Sequence, residues 1–165
     1  MVKKMAAQSV FTTQVLPSLS SRLGVIKLNN PSSLNALTLD MIRCIHGTLS
    51  TWQSMGVRAT LMIGTPYEKN GKSKPAFCAG GDVKAVYLSG IAKQTKEEEG
   101  HDVTADFFRE EYQLNYLIAN QPPHMPQISI WDGIVMGGGV GLSVHGKYRI
   151  ATENTIFAMP GEYVH

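Results

Sequence analysis

Cysteine is scarce in this chain, with only Cys44 and Cys78 among 165 residues. The two stand too far apart for a metal knuckle, and a secreted chain of this size more often carries a disulfide framework, so both read as reduced thiols of an intracellular protein. Long apolar runs are missing as well. None approaches the about 18 residues of a membrane span, so no membrane partner is expected. A strong charge of either sign is also absent: the formal net charge is +2, too slight and too scattered to argue for nucleic acid. The five histidines, His46, His101, His124, His145 and His165, show no H-x-x-x-H or similar grouping with nearby carboxylates, and no metal is expected.

Acidic residues are missing from Met1 to Leu39, where Lys3, Lys4, Arg22 and Lys27 are basic and Ser/Thr are frequent. Mitochondrial presequences share that bias, and a plain N-terminal arm has it too, so residues 1–22 carry both readings. The ending Tyr163-Val164-His165 does not match the peroxisomal tripeptide.

What is present fits one domain, with 43% hydrophobic residues to fill a core. Leu23 to Leu28 is a β-type run closed by Asn29-Asn30-Pro31. Thr38 caps an expected helix with Asp40 in its first turn. Its apolar face is Ile42, Ile45, Leu49 and Trp52, and Gly56 stops it. Ala59 to Ile63 reads as a buried strand, and residues 66 to 75 as a polar loop. Val83 to Leu88 begins a helix, and Lys93 to Asp102 is a charged connector whose Lys96-Glu97-Glu98-Glu99 run is a solvated face. A helix over Ala105–Asn120 carries Phe108, Tyr112 and Ala119 on one stripe and Phe107, Leu114, Leu117 and Ile118 beside it, and most of it is expected to be buried. After Pro122, Pro123 and Pro126, a strand at Ile128–Trp131, a helix at Gly138–His145 and strands at Tyr148–Ala151 and Ile156–Ala158 follow. The alternation argues for an α/β layered fold, with no internal repeat visible in the sequence.

Two glycine stretches stand out, Phe77-Cys78-Ala79-Gly80-Gly81-Asp82-Val83 and Met136-Gly137-Gly138-Gly139-Val140-Gly141. The second has neither the Gly-Lys-Ser/Thr ending of a P-loop nor the last glycine of G-x-G-x-x-G, since Leu142 sits there. Ser143 is outside any G-x-S-x-G elbow, and His145 reads as a core or helix-end histidine. Each stretch puts glycine where a strand-like run meets a helix start, leaving backbone N–H groups bare. Paired donors of that kind suit the two halves of an oxyanion hole for a thioester carbonyl.

With Leu34-Asn35-Ala36-Leu37, Phe107-Phe108-Arg109-Glu110-Glu111-Tyr112 and Asp132 to Gly146, these motifs give a chain that resembles the crotonase (enoyl-CoA hydratase/isomerase) superfamily. Within it, the likeness is to the hydrolases of 3-hydroxyisobutyryl-CoA and runs over residues 23–160. The resemblance implies a crotonase-like spiral of ββα units, here its N-terminal part. It implies that the N–H groups of Gly81 and Gly138 form the oxyanion hole, with the dipole of the helix starting at Gly138 adding to it. Glu111 is implied to line the acyl pocket, and the loops of Asn35 and of Ala79, Gly80, Gly81 and Asp82 to lie along the CoA arm. Hydratases carry a water-positioning carboxylate where this chain has Gly141, which favours the hydrolase branch.

The family pattern departs at Ala158-Met159-Pro160. There the catalytic glutamate should follow at once, but Gly161 stands in its place, Glu162 is one position late, and the aspartate of a later Pro-Asp step is not reached. Residues 161–165 read as a divergent tail, and the chain as a truncated product with apolar surface for a partner chain to cover. The implied activity is hydrolysis of 3-hydroxyisobutyryl-CoA to 3-hydroxyisobutyrate and CoA in valine breakdown. Its location is mitochondrial, with peroxisome and cytoplasm left open. Acyl-CoA is the substrate partner, and no separate cofactor is needed because CoA belongs to the substrate. The alternative is a non-catalytic descendant serving as an assembly component, such as a protein of the small mitochondrial ribosomal subunit.

Overall fold

Arg22–Leu28 alternates between half-exposed and buried positions, and Ala59–Gly64 does the same. Period-2 burial of this kind marks strands of a sheet covered on one face. The structure is a computed structural model that describes residues 11–17, 22–94 and 103–159. In chain order it contains β1 (Phe11–Pro17), β2 (Arg22–Leu28), α1 (Leu39–Ser54), β3 (Ala59–Gly64), β4 (Tyr67–Lys69), β5 (Lys72–Lys74), β6 (Ala76–Cys78), α2 (Val83–Gln94), α3 (Val103–Ala119), β7 (Gln127–Trp131), β8 (Ile134–Met136), α4 (Gly138–Val144), β9 (Tyr148–Ala151) and β10 (Ile156–Ala158).

One sheet has the order β1-β2-β3-β7-β9, with β1 antiparallel to β2 and every later pair parallel. A smaller parallel sheet has the order β10-β8-β6. The chain visits the two sheets in turn: β3 then β6, β7 then β8, β9 then β10, with helices closing the first two rounds. This is the expected ββα spiral, a repeat of geometry that no sequence repeat announces.

The core sits between the large sheet and α1 and α3, where Ile26, Leu28, Ile42, Ile45, Leu49, Met62, Phe77, Leu114 and Ile118 are buried. Burying each such side chain contributes about 1.5–3 kcal/mol. Helix α1 begins as expected, the Thr38 hydroxyl accepting from the Met41 N–H at 3.2 Å, and it ends where Gly56 takes φ +72°. Gly24 in β2 lets the Trp52 ring lie directly on the strand; a β-carbon there would collide with the ring.

Four expectations change. Residues 66–75 are not a plain loop but contain the β4-β5 hairpin, turned by Asn70 and Gly71, both at positive φ. That Asn-Gly pair is the turn a two-residue hairpin favours. Within residues 1–22, Phe11–Pro17 is a strand paired along β2 rather than an arm. Helix α2 runs through Gln94, so the connector begins later, and the Lys96–Glu99 run lies outside the described residues. On α3 the Phe108-Tyr112-Ala119 stripe is exposed, with Tyr112 65% exposed, and the buried side is Phe107, Glu111, Leu114 and Ile118. Aromatic size suggests burial there, but the helix turns a partly polar face inward. No helix among the described residues is long and apolar enough to cross a membrane.

Candidate functional site

Strands β6 and β8 are parallel neighbours, so their C-terminal ends lie side by side and both glycine stretches leave the small sheet at the same edge. Gly80 (φ +108°) and Gly137 (φ +48°) adopt backbone conformations that favour glycine. They also touch: a β-carbon on Gly80 would stand 3.3 Å from the Met136 carbonyl oxygen and 3.7 Å from the Gly138 nitrogen.

Gly81 is oriented by Leu37. The Leu37 N–H donates to the Gly80 carbonyl at 2.7 Å, and the Leu37 carbonyl accepts from the Asp82 N–H at 2.8 Å. In such a parallel bridge the N–H of Gly81 points away from Leu37. At the other stretch, the N–H groups of Val140 and Gly141 both donate to the Gly137 carbonyl, while Gly138, at the first helical position, has no backbone acceptor among the described residues. Gly81 and Gly138 are each half-exposed, so a ligand can reach them. Helix α4 has only seven residues, and its contribution rests on the N–H group itself more than on a dipole.

Helix α3 lies across both glycines. The Phe107 ring sits where a β-carbon on Gly81 would come within 2.9 Å, and Glu111 Oε1 occupies the space that a β-carbon on Gly138 would need. The two side chains are one helical turn apart, so one helix face covers both glycines. Glu111 is 6% exposed and has no hydrogen-bond partner among the described residues, and burial raises its pKa. Helix α3 is held in place by the two-pronged Arg43–Glu110 pair, with both N–H···O distances 2.8 Å, and by the Thr104 hydroxyl, which donates to the Val86 carbonyl at 3.2 Å.

The remaining expected residues take supporting places. Asn35 is fully buried at φ +57°. Its amide donates to the carbonyls of Thr65 and Ala76 at 2.8 and 2.9 Å and accepts from the Asn30 N–H at 3.0 Å. Its side chain is thereby committed to the protein, and only the main chain of its loop remains for a ligand. The Ala79 N–H donates to the Leu34 carbonyl at 3.0 Å, so the 34–37 and 79–82 loops, with Gly80 and Asp82, form one zipped edge.

Other polar groups are already occupied or remote. The Ser143 hydroxyl bonds to the Gly139 carbonyl and accepts from the Trp131 indole. His145 takes the helix-end place of its two expected ones and is exposed there. Burial pushes the Cys78 thiol up to about 12. Gly161 and Glu162 lie outside the described residues.

Sequence reasoning misses Asn115. It follows Glu111 by one turn of α3, and its amide fills the space over Gly141, where a β-carbon would come within 2.7 Å of Nδ2. The four-residue spacing from Glu111 is the available signal.

Known proteins share the sequence and the fold of this chain. The family model described as enoyl-CoA hydratase/isomerase matches residues 23–163. Among curated relatives, the mouse protein named 3-hydroxyisobutyryl-CoA hydrolase, mitochondrial, is 47% identical over 83% of this chain and 32% of its own length. The human protein of the same name is 40% identical over 95% of this chain and 37% of its own. The chain thus spans about a third of the length of the curated relatives it matches. A carnitinyl-CoA dehydratase from Mycobacterium thermoresistibile superposes with a TM-score of 0.74 at 34% identity, over 93% of this chain and 39% of that one. An enoyl-CoA hydratase from Rhodobacter sphaeroides gives 0.68 at 30%, over 90% and 39%.

Proposed function

The chain belongs to the enoyl-CoA hydratase/isomerase family, and on that premise we propose that it binds an acyl-CoA thioester and polarises its carbonyl for hydrolysis. The reading rests on one observation: the N–H groups of Gly81 and Gly138, neither with a backbone acceptor among the described residues, stand at one edge under a helix that lays Phe107 and Glu111 on them. When water attacks a thioester carbonyl, negative charge builds on its oxygen. A preorganised N–H donor lowers that barrier by about 2.7–4 kcal/mol, because it needs no reorientation as the charge grows. Collapse of the tetrahedral intermediate breaks the carbon–sulfur bond and releases the CoA thiol and the carboxylic acid.

The names of the relatives support 3-hydroxyisobutyryl-CoA as substrate and a mitochondrial location, and we infer from that substrate a place in valine breakdown. Glu111 borders the acyl group in this reading. Its burial raises its affinity for a proton, which suits it to hydrogen-bond the acyl chain or a water. Gly161 follows Pro160, where the family pattern has its water-activating carboxylate. The chain is therefore expected to bind thioesters with little turnover.

Calorimetric titration of the purified chain with 3-hydroxyisobutyryl-CoA and with free CoA, alongside a thiol-release assay, tests this. Tighter binding of the thioester than of free CoA, with slow thiol release, is expected. Equal binding of the two, or none, would remove the reading.

A further inference from the structure

Helix α3 presents a second polar group to α4, one turn beyond Glu111. Asn115 Oδ1 is buried with no hydrogen-bond partner, and the amide as a whole makes no hydrogen bond among the described residues. It lies against Gly141 as Glu111 lies against Gly138. A carboxyl and a carboxamide without partners, one turn apart on a helix that borders the oxyanion hole, form a polar wall where an ordinary core would be apolar.

We propose that Asn115 is a specificity-determining residue that selects acyl chains bearing a hydroxyl group near the thioester. The inference rests on the thioester reading above and deepens it. A thioester oxygen held by Gly81 and Gly138 starts the acyl chain beside Glu111. From there to the level of Asn115 is one helical pitch, about 5.4 Å. A hydroxyl on the β-carbon, two carbon–carbon bonds and one carbon–oxygen bond from the carbonyl carbon, extends along that interval. A hydroxyl both donates and accepts, as the Asn115 amide does, so one such group pairs with an amide that otherwise has no partner. An acyl chain without the hydroxyl leaves the amide unpaired and desolvated, which is the basis on which a site built for a hydroxyl rejects its deoxy analogue.

The test uses the full chain and the matched pair 3-hydroxyisobutyryl-CoA and isobutyryl-CoA, with dissociation constants measured by calorimetry for the wild type and for Asn115→Leu, a change close in shape. Circular dichroism checks that the variant is folded. Wild type should prefer the hydroxylated thioester about tenfold, the effect of roughly one hydrogen bond. Asn115→Leu should abolish the preference, weakening 3-hydroxyisobutyryl-CoA and holding isobutyryl-CoA more tightly than wild type, since no amide is left unpaired. Asn115→Asp, which keeps an acceptor, should retain a preference and serves as the second variant if the leucine does not fold. A wild type without preference, or one that survives Asn115→Leu, overturns the inference and leaves the thioester reading standing. Failure of both thioesters to bind overturns both.

Discussion

Leu37 holds Gly81 by both faces of its peptide backbone, donating to the Gly80 carbonyl and accepting from the Asp82 N–H, so that the N–H of Gly81 is left pointing away from it. In the proposed oxyanion hole the first donor is therefore set by the loop that carries Leu37. That loop is pinned in turn by Asn35, whose amide ties it to Thr65, Ala76 and Asn30.

Asn35→Ala should accordingly cost about 2–4 kcal/mol, since it deletes three hydrogen bonds and strands buried acceptors. Urea denaturation followed by circular dichroism reads this as a lower midpoint with an unchanged slope. A loss below about 0.5 kcal/mol would show that the loop is held by its main chain alone.

Gly138→Ala separates the site from the fold. The new methyl group meets Glu111 Oε1, the mobile end of a side chain, and Leu37 Cδ1 at 3.2 Å. The fold should survive with a loss of about 1 kcal/mol, while the displaced Glu111 and the crowded N–H weaken thioester binding at least tenfold. Calorimetry with 3-hydroxyisobutyryl-CoA checks it.

Glu111 gives a pH signature. Burial raises its folded pKa above the ordinary glutamate value, so the folded state holds a proton that the unfolded chain releases. The favourable contribution is full below the unfolded pKa and is lost as pH rises through the raised folded value. Glu111→Gln should remove this dependence. The variant should match wild type in acid and exceed it in thermal midpoint at neutral pH, even though the acyl site is altered. Parallel pH series of melting curves decide it, and a neutral-pH midpoint below wild type would contradict the burial argument.

The two thiols should behave differently. Cys44 is exposed and Cys78 is fully buried, its thiol pushed up to about 12. Because the thiolate is the reacting form, a disulfide reagent at mildly alkaline pH should titrate one thiol in the native chain and both in urea. Two fast-reacting thiols without urea would show that the β6 edge opens.

Much of the fold is legible in the sequence itself. The strands and α1 follow from period and caps, and the two glycine stretches mark where N–H groups go bare. Their adjacency is implied by the family likeness alone, because nothing in the spacing of residues 77–83 and 136–141 says that β6 and β8 are neighbours. Long-range pairing of that kind is a property of topology, not of local preference. The α3 face departs from expectation for a related reason: Phe108 and Tyr112 are larger than Glu111 and Asn115, and hydrophobicity favours burying the aromatics. The packing instead turns the acid and the amide toward α4, where Gly138 and Gly141 leave room for them. The β4-β5 hairpin is signalled by Asn70-Gly71, a signal masked by flanking lysines that suggest only solvent.

The most direct test of the oxyanion hole uses the 15N-labelled chain and a ketone analogue of the acyl-CoA in which a methylene replaces the thioester sulfur, so that the carbonyl stays and hydrolysis cannot occur. Proton–nitrogen correlation spectra should show the amide protons of Gly81 and Gly138 moving downfield as the analogue binds, and staying in place with free CoA, which has no acyl carbonyl to accept them. Binding of the analogue with both glycine resonances unmoved would contradict the account.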